Sequence, residues 1–180
     1  MNTFVIGGSH DIEFVTWSNG LMKNFRLKNY QPVLSQLTFD EMNKAPQQVQ
    51  DTLTRLMDYE PRILEITEDA LELSEEYLNR KILNPKFRDD ALHIALASLS
   101  NVDVLVSWNF RHIVHYDKIR LFNAVNIENG LKSIDIYSPC EVTNYKELDI
   151  VKTIRSIRDK NYEKTKGLSR EELLEREKKR

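Results

Sequence analysis

Cysteine is all but missing from this sequence. Cys140 stands alone, so no disulfide can close within the chain, and a reducing compartment is the expected setting. Long apolar runs are missing as well. No uninterrupted hydrophobic stretch approaches the roughly 20 residues that cross a bilayer. The opening MNTFVIGGSHDIEF has neither the basic leader nor the extended apolar segment of a secretory signal. A cytoplasmic protein without a membrane partner is therefore expected. Glycine and proline are scarce, five each in 180 residues, which leaves no room for a fibrous repeat. A dominant charge is also lacking, since 26 Lys and Arg against 28 Asp and Glu give a net charge of −2.

That near-neutrality hides an uneven distribution. Residues 143–180 hold 12 basic and 8 acidic side chains, which leaves 14 basic and 20 acidic in the first 142. An acidic body with a basic tail suits self-association, or a tail that docks on the body; a solvated helix of mixed charge fits equally well. The expected organisation is a domain over 1–142 followed by a helical basic tail over 143–180.

Strand and helix patterns alternate along the body. TFVIGG at the start reads as a strand running into a turn. Phe14, Trp17, Leu21 and Phe25 recur at helical spacing over 14–28. A second strand is expected over 30–35, then a helix opened by a capping box of Thr38 with Glu41 and stopped by Pro46, then a helix over 47–59. A strand over 63–66 follows, then a helix capped by Thr67 through Asn79 with Leu71, Ser74 and Leu78 on one stripe. Residues 89–99 read as a helix buried on several faces, and 102–107 as a strand covered on both sides. A helix over 119–129 ended by Gly130 and a strand over 134–137 complete the body. Such alternation predicts an α/β fold with a mostly parallel central sheet flanked by helices. The tail, 148–180, reads as two polar helices broken at Gly167.

Three oxygen-bearing side chains fall where parallel sheets collect ligands. Glu41 lies early in the helix after the second strand, Asp90 opens the buried helix, and Asn109 follows the end of the buried strand. Together they suit Mg²⁺ or Mn²⁺, which prefer oxygen ligands. Each has a plainer role. Glu41 can simply complete the box with Thr38, Asp89 and Asp90 can favour a helix N-terminus, and Asn109 can cap a turn. His93, inside an apolar helix, reads as a hydrogen-bonded core or rim residue. His112 and His115 are spaced to share a metal but lack further ligands, and read as surface or nucleic-acid contacts.

The run RDDALHIALASLSNVDVLVSWNFRHIV, Arg88 to Val114, resembles the signature of PIN-domain proteins of the VapC toxin type: an acid-leading helix, a strand, then a Ser-x-Asn turn. FNAVNIENGLKSIDIYSPCEV and LSQLTFDEMNKAP are similar to further segments of those proteins, so the likeness covers roughly residues 2–142. It implies a three-layer PIN-like fold and an Mg²⁺- or Mn²⁺-dependent endoribonuclease, commonly the toxin of a toxin–antitoxin pair and often a homodimer. By that resemblance Glu41 is the second acid, Asp90 the third, and Asn109 stands at the fourth. The first acid's motif, D-T-x-V-I, aligns with Asn2-Thr3-Phe4-Val5-Ile6, so Asn2 takes the acid's place and the first strand is truncated. Arg88, Arg111, His112, Lys118 and Arg120 are candidate RNA phosphate contacts. The tail resembles antitoxin-like peptides encoded beside such proteins, with Arg155 and Arg158 as the arginines that would reach an acidic pocket and self-inhibit. The rival reading is a non-catalytic protein of the same fold that binds RNA or a partner chain.

Overall fold

The computed structural model of the chain describes residues 1–6 and 12–143. The expected tail helices, with Arg155 and Arg158, lie outside the described residues. Met1–Thr143 forms one compact unit.

Five parallel strands make its sheet: β1 (Asn2–Ile6), β2 (Gln31–Ser35), β3 (Arg62–Leu64), β4 (Val104–Ser107) and β5 (Ile136–Tyr137). Their order across the sheet is β3-β2-β1-β4-β5. The connecting helices are α1 (Ile12–Arg26), α2 (Gln36–Asn43), α3 (Gln47–Met57), α4 (Glu68–Asn79), α5 (Arg88–Leu99) and α6 (Tyr116–Glu128), and α7 (Pro139–Val142) follows β5. β1, the strand that the resemblance implies is truncated, opens at Asn2. It is as long as β2 and occupies the sheet centre, with Asn2 to Phe4 paired to β2 and Thr3 to Ile6 paired to β4. Between them β2 and β4 use all five residues of β1 as ladder partners, so β1 is paired on both sides.

Side chains alternate across the strands and divide the core in two. Phe4, Val33, Leu105 and Ile136 face one layer, packed against Leu73, Tyr77, Ile94, Phe122 and Val125 of α4, α5 and α6. Val5, Leu34, Val104 and Val106 face the other, packed against Leu21, Phe25, Met42, Val49 and Leu53 of α1, α2 and α3. This is the period-two pattern of a sheet covered on both faces, and it gives the three layers expected from the sequence. β4 is buried at all four positions. α5 is buried from Ala91 to Ser98, on every face.

Local signals explain where the helices begin and stop. Thr67 caps α4, its hydroxyl accepting from the Ala70 amide at 3.2 Å, as expected. The buried stripe of α4 is Ala70, Leu73, Ser74, Tyr77 and Leu78, whereas Leu71 is exposed. Glycine being scarce, Lys28, Glu60, Lys81 and Asn101 take the left-handed conformation just past α1, α3, α4 and α5, and among the described residues glycine does so only after α6, at Gly130. For residues bearing a Cβ this conformation costs roughly 1–2 kcal/mol each.

Candidate functional site

β1, β2 and β4 end together. Ile6 pairs with Ser107, and Ser35 closes β2 on the other side. Three side chains expected to act together start from this rim. Ser35 is both the last residue of β2 and the N-cap of α2, its hydroxyl accepting from the Thr38 amide at 3.1 Å. The helix thus begins at Gln36, one turn before the capping box expected at Thr38. Thr38 spends its hydroxyl on Ser35, at 3.1 Å. Glu41 is therefore not a capping residue. It stands in the second turn of α2 with its side chain 40% exposed.

Asp90 lies in the first turn of α5, whose N-cap, Phe87, makes no side-chain capping bond. Asp90 is not spent on the helix end either: its Oδ1 accepts from Asn109 Nδ2 at 2.9 Å. Asn109 itself is fixed from two further sides. Its amide donates to Ser107 Oγ at 3.0 Å, and its Oδ1 accepts from the His112 amide at 3.0 Å. It fills the turn role and the site role at once. The cost is that its carbonyl oxygen is already committed, so in this arrangement it orients Asp90 and turns its NH₂, not its oxygen, to the acid.

His93 completes the group. One turn beyond Asp90 on α5 and 1% exposed, it sets Nε2 3.1 Å from Glu41 Oε2, linking α5 to α2. The Asp90 carboxyl is raised above its ordinary range, first by burial and further by the negative charges of Glu41 and Asp89; His93 and the Asn109 bond oppose the rise. Two carboxylates close enough to repel, each with one oxygen hydrogen-bonded within the protein and a second oxygen besides, form a site that a cation would stabilise. Mg²⁺ typically retains several waters and binds through one or two carboxylates, so Glu41 and Asp90 suit it without Asn109 as a third ligand. Among the described residues no group of three or more His, Cys, Asp and Glu is placed to hold a metal by itself.

Asn2 does not join this site. It begins β1, pairs with Gln31, and its amide donates to the Asp103 carboxylate. Four residue steps along an extended strand put it about 13 Å from the Ile6 end. The letters N-T-F-V-I are the strand itself, not its approach to the site, and the residues next after Ile6 fall in 7–11, outside the described residues.

The expected phosphate contacts divide. Lys118 Nζ donates to the Arg111 carbonyl at 2.9 Å and lies 3.2 Å from His112 Nδ1. The His112 ring stacks on Phe87 with centroids 3.7 Å apart. Burial, then the positive charges of Lys118, Arg111 and Lys86, push the His112 imidazole below its ordinary value. Arg111, His112 and Lys118 thus cluster next to Asn109, with Lys86 as a member that composition did not single out. Arg88 and Arg120 stand apart. Arg88 pairs with Glu75 of α4, and the Arg120 guanidinium lies over the Tyr116 ring at 5.7 Å. His115 precedes α6 as its N-cap without a side-chain capping bond.

Among the described residues no helix is long and apolar enough to cross a membrane. No protein-family model and no curated protein matches the chain.

Proposed function

We propose that the chain is a metal-dependent endoribonuclease of PIN type. The observation that carries this is the meeting of Glu41 and Asp90, from two different helices, at the rim where β1, β2 and β4 end, each held by one protein donor and each with a second oxygen to offer. Bound there, Mg²⁺ or Mn²⁺ would supply Lewis acidity toward a phosphodiester and a lowered pKa for a ligated water. The chain's own residues do the rest. Asn109 holds Asp90, His93 meets Glu41, and the positive field of Lys86, Arg111, His112 and Lys118 beside Asn109 favours a phosphate backbone. In this reading Asn109 positions a ligand and Asn2 takes no part.

The resemblance extends the proposal to a toxin of a toxin–antitoxin pair, acting as a homodimer. It would be held by an antitoxin-like partner or by its own residues 143–180 through Arg155 and Arg158. A second reading, a non-catalytic protein that binds RNA or a partner chain, is favoured by one observation: both carboxylates already accept hydrogen bonds from within the protein. Cleavage of single-stranded and structured RNA with Mn²⁺, with EDTA, and by Asp90→Ala separates the two. Cleavage that needs Mn²⁺ and disappears in Asp90→Ala supports the nuclease. RNA retained on the protein without cleavage under every condition supports the second reading.

A further inference from the structure

We infer that His93 is a positioning residue, which holds the Glu41 carboxylate in place to receive a divalent cation; the inference rests on the metal-dependent reading above. The imidazole sits in the helix that is buried on every face, and Phe4 of the central strand lies against it with ring centroids 6.1 Å apart. Burial to 1% exposure leaves the ring little freedom to turn. Its two nitrogens have unequal surroundings: Nε2 faces Glu41 Oε2 at 3.1 Å, while Nδ1 is buried with no partner. The inequality sets the direction of the bond. A hydrogen on Nδ1 would be a buried donor without an acceptor, so the hydrogen is on Nε2 and is donated to the carboxylate.

This donor has a definite consequence for Glu41. The side chain is long, 40% exposed and carried on a helix of eight residues. Left alone it would sample several rotamers, and a cation would have to order it on binding. Anchoring Oε2 removes most of that freedom beforehand and leaves Oε1 for a ligand. Asn109 treats Asp90 in the same way, taking Oδ1 and leaving Oδ2. Groups that hold metal-ligating carboxylates by hydrogen bonds commonly control affinity without touching the ion. The orphaned Nδ1 argues in the same direction. An aliphatic side chain would fill this part of the core without a buried polar atom, so packing alone does not account for an imidazole here.

Calorimetric titration of the full chain with Mn²⁺ tests the inference, using the unaltered protein, His93→Leu, His93→Gln and Glu41→Ala, with Tm measured for each. His93→Leu is expected to weaken Mn²⁺ binding by about 10–100-fold with Tm equal or higher. His93→Gln, whose amide nitrogen can stand where Nε2 stood, is expected to keep most of the affinity. On a Glu41→Ala background the His93→Leu change should cost nothing further, because the two act as one unit. Equal Mn²⁺ affinity in the unaltered protein and His93→Leu would overturn the positioning role and leave the metal site standing. No Mn²⁺ binding by the unaltered protein would overturn the metal reading, and this inference with it. Should His93→Leu fail to fold, His93→Gln decides: affinity as poor as that of Glu41→Ala rejects the role.

Discussion

Raising the pH through the tyrosine range should destabilise this protein from inside its core, and Tyr77 is the reason. Its ring is fully buried against Phe122, and its hydroxyl donates to Asn126 Oδ1. Asn126 Nδ2 donates in turn to Ser98 Oγ at 2.9 Å, so α4, α6 and the site-bearing α5 are joined by one polar network. Burial, the largest cause, pushes the Tyr77 phenol from 10.0 up to about 12, against smaller opposing contributions from Ser98 and Asn126. The folded chain therefore keeps a proton that the unfolded chain releases. Stability from this group is whole below pH 10 and is lost as pH rises toward 12. The loss is on the order of 3 kcal/mol. Tyr77→Phe cannot show it. At pH 8 that substitution strands Asn126 Oδ1 in the core and costs about 1–3 kcal/mol. Urea unfolding of both proteins from pH 8 to 12, followed by circular dichroism, gives the difference between them, in which the exposed tyrosines cancel. The advantage of the unaltered protein is expected to shrink steadily above pH 10 and to vanish near pH 12. A difference that stays constant or grows across that interval would refute the argument.

Three further substitutions have defined signs. The Asp90 carboxyl is raised by burial and by Glu41 and Asp89, so its charged form works against folding, and stability falls as pH rises above its unfolded value. Asp90→Asn, which can still accept from Asn109, is expected to raise Tm at pH 7, with the gain fading below pH 4 in a pH series of thermal melts. Ser35→Ala strips the cap from α2 and leaves the Thr38 amide without its side-chain acceptor; a loss of about 1–2 kcal/mol, or roughly 2–8 °C in Tm, is expected by calorimetry. Lys81→Gly relieves a left-handed residue (φ 59°) just past α4 and should stabilise by about 1 kcal/mol in urea titrations.

Much of the architecture was legible because it rests on local periodicity. The unbroken apolar run of β4, the α5 stretch buried from Ala91 to Ser98, the Thr67 cap and the Gly130 stop are properties of short windows of sequence, and each lies in the structure where its window indicates. The convergence of Glu41, Asp90 and Asn109 was legible for a different reason: parallel strands joined by helices return to the same rim, so residues that follow β2 and β4 become neighbours of the first turn of α5, the helix leading into β4. What failed was phase. Thr38-x-x-Glu41 reads as a capping box only if the helix starts at Thr38, and Ser35, another capping residue three positions earlier, starts it first. A motif match likewise made Asn2 a site residue, although it begins β1, at the end of the strand away from the rim. His93 could not be recognised as part of the site from its neighbours, since its partner is 52 residues away in the chain and only the packing of α5 beside α2 brings them together.

The central claim is that Glu41 and Asp90 jointly hold a divalent cation. Anomalous diffraction from crystals grown with MnCl₂ tests it most directly. The account predicts one strong peak in contact with a Glu41 oxygen and an Asp90 oxygen, absent from Asp90→Asn crystals. A peak that touches neither carboxylate, or none at all with both carboxylates bonded to His93 and Asn109 as here, would contradict it.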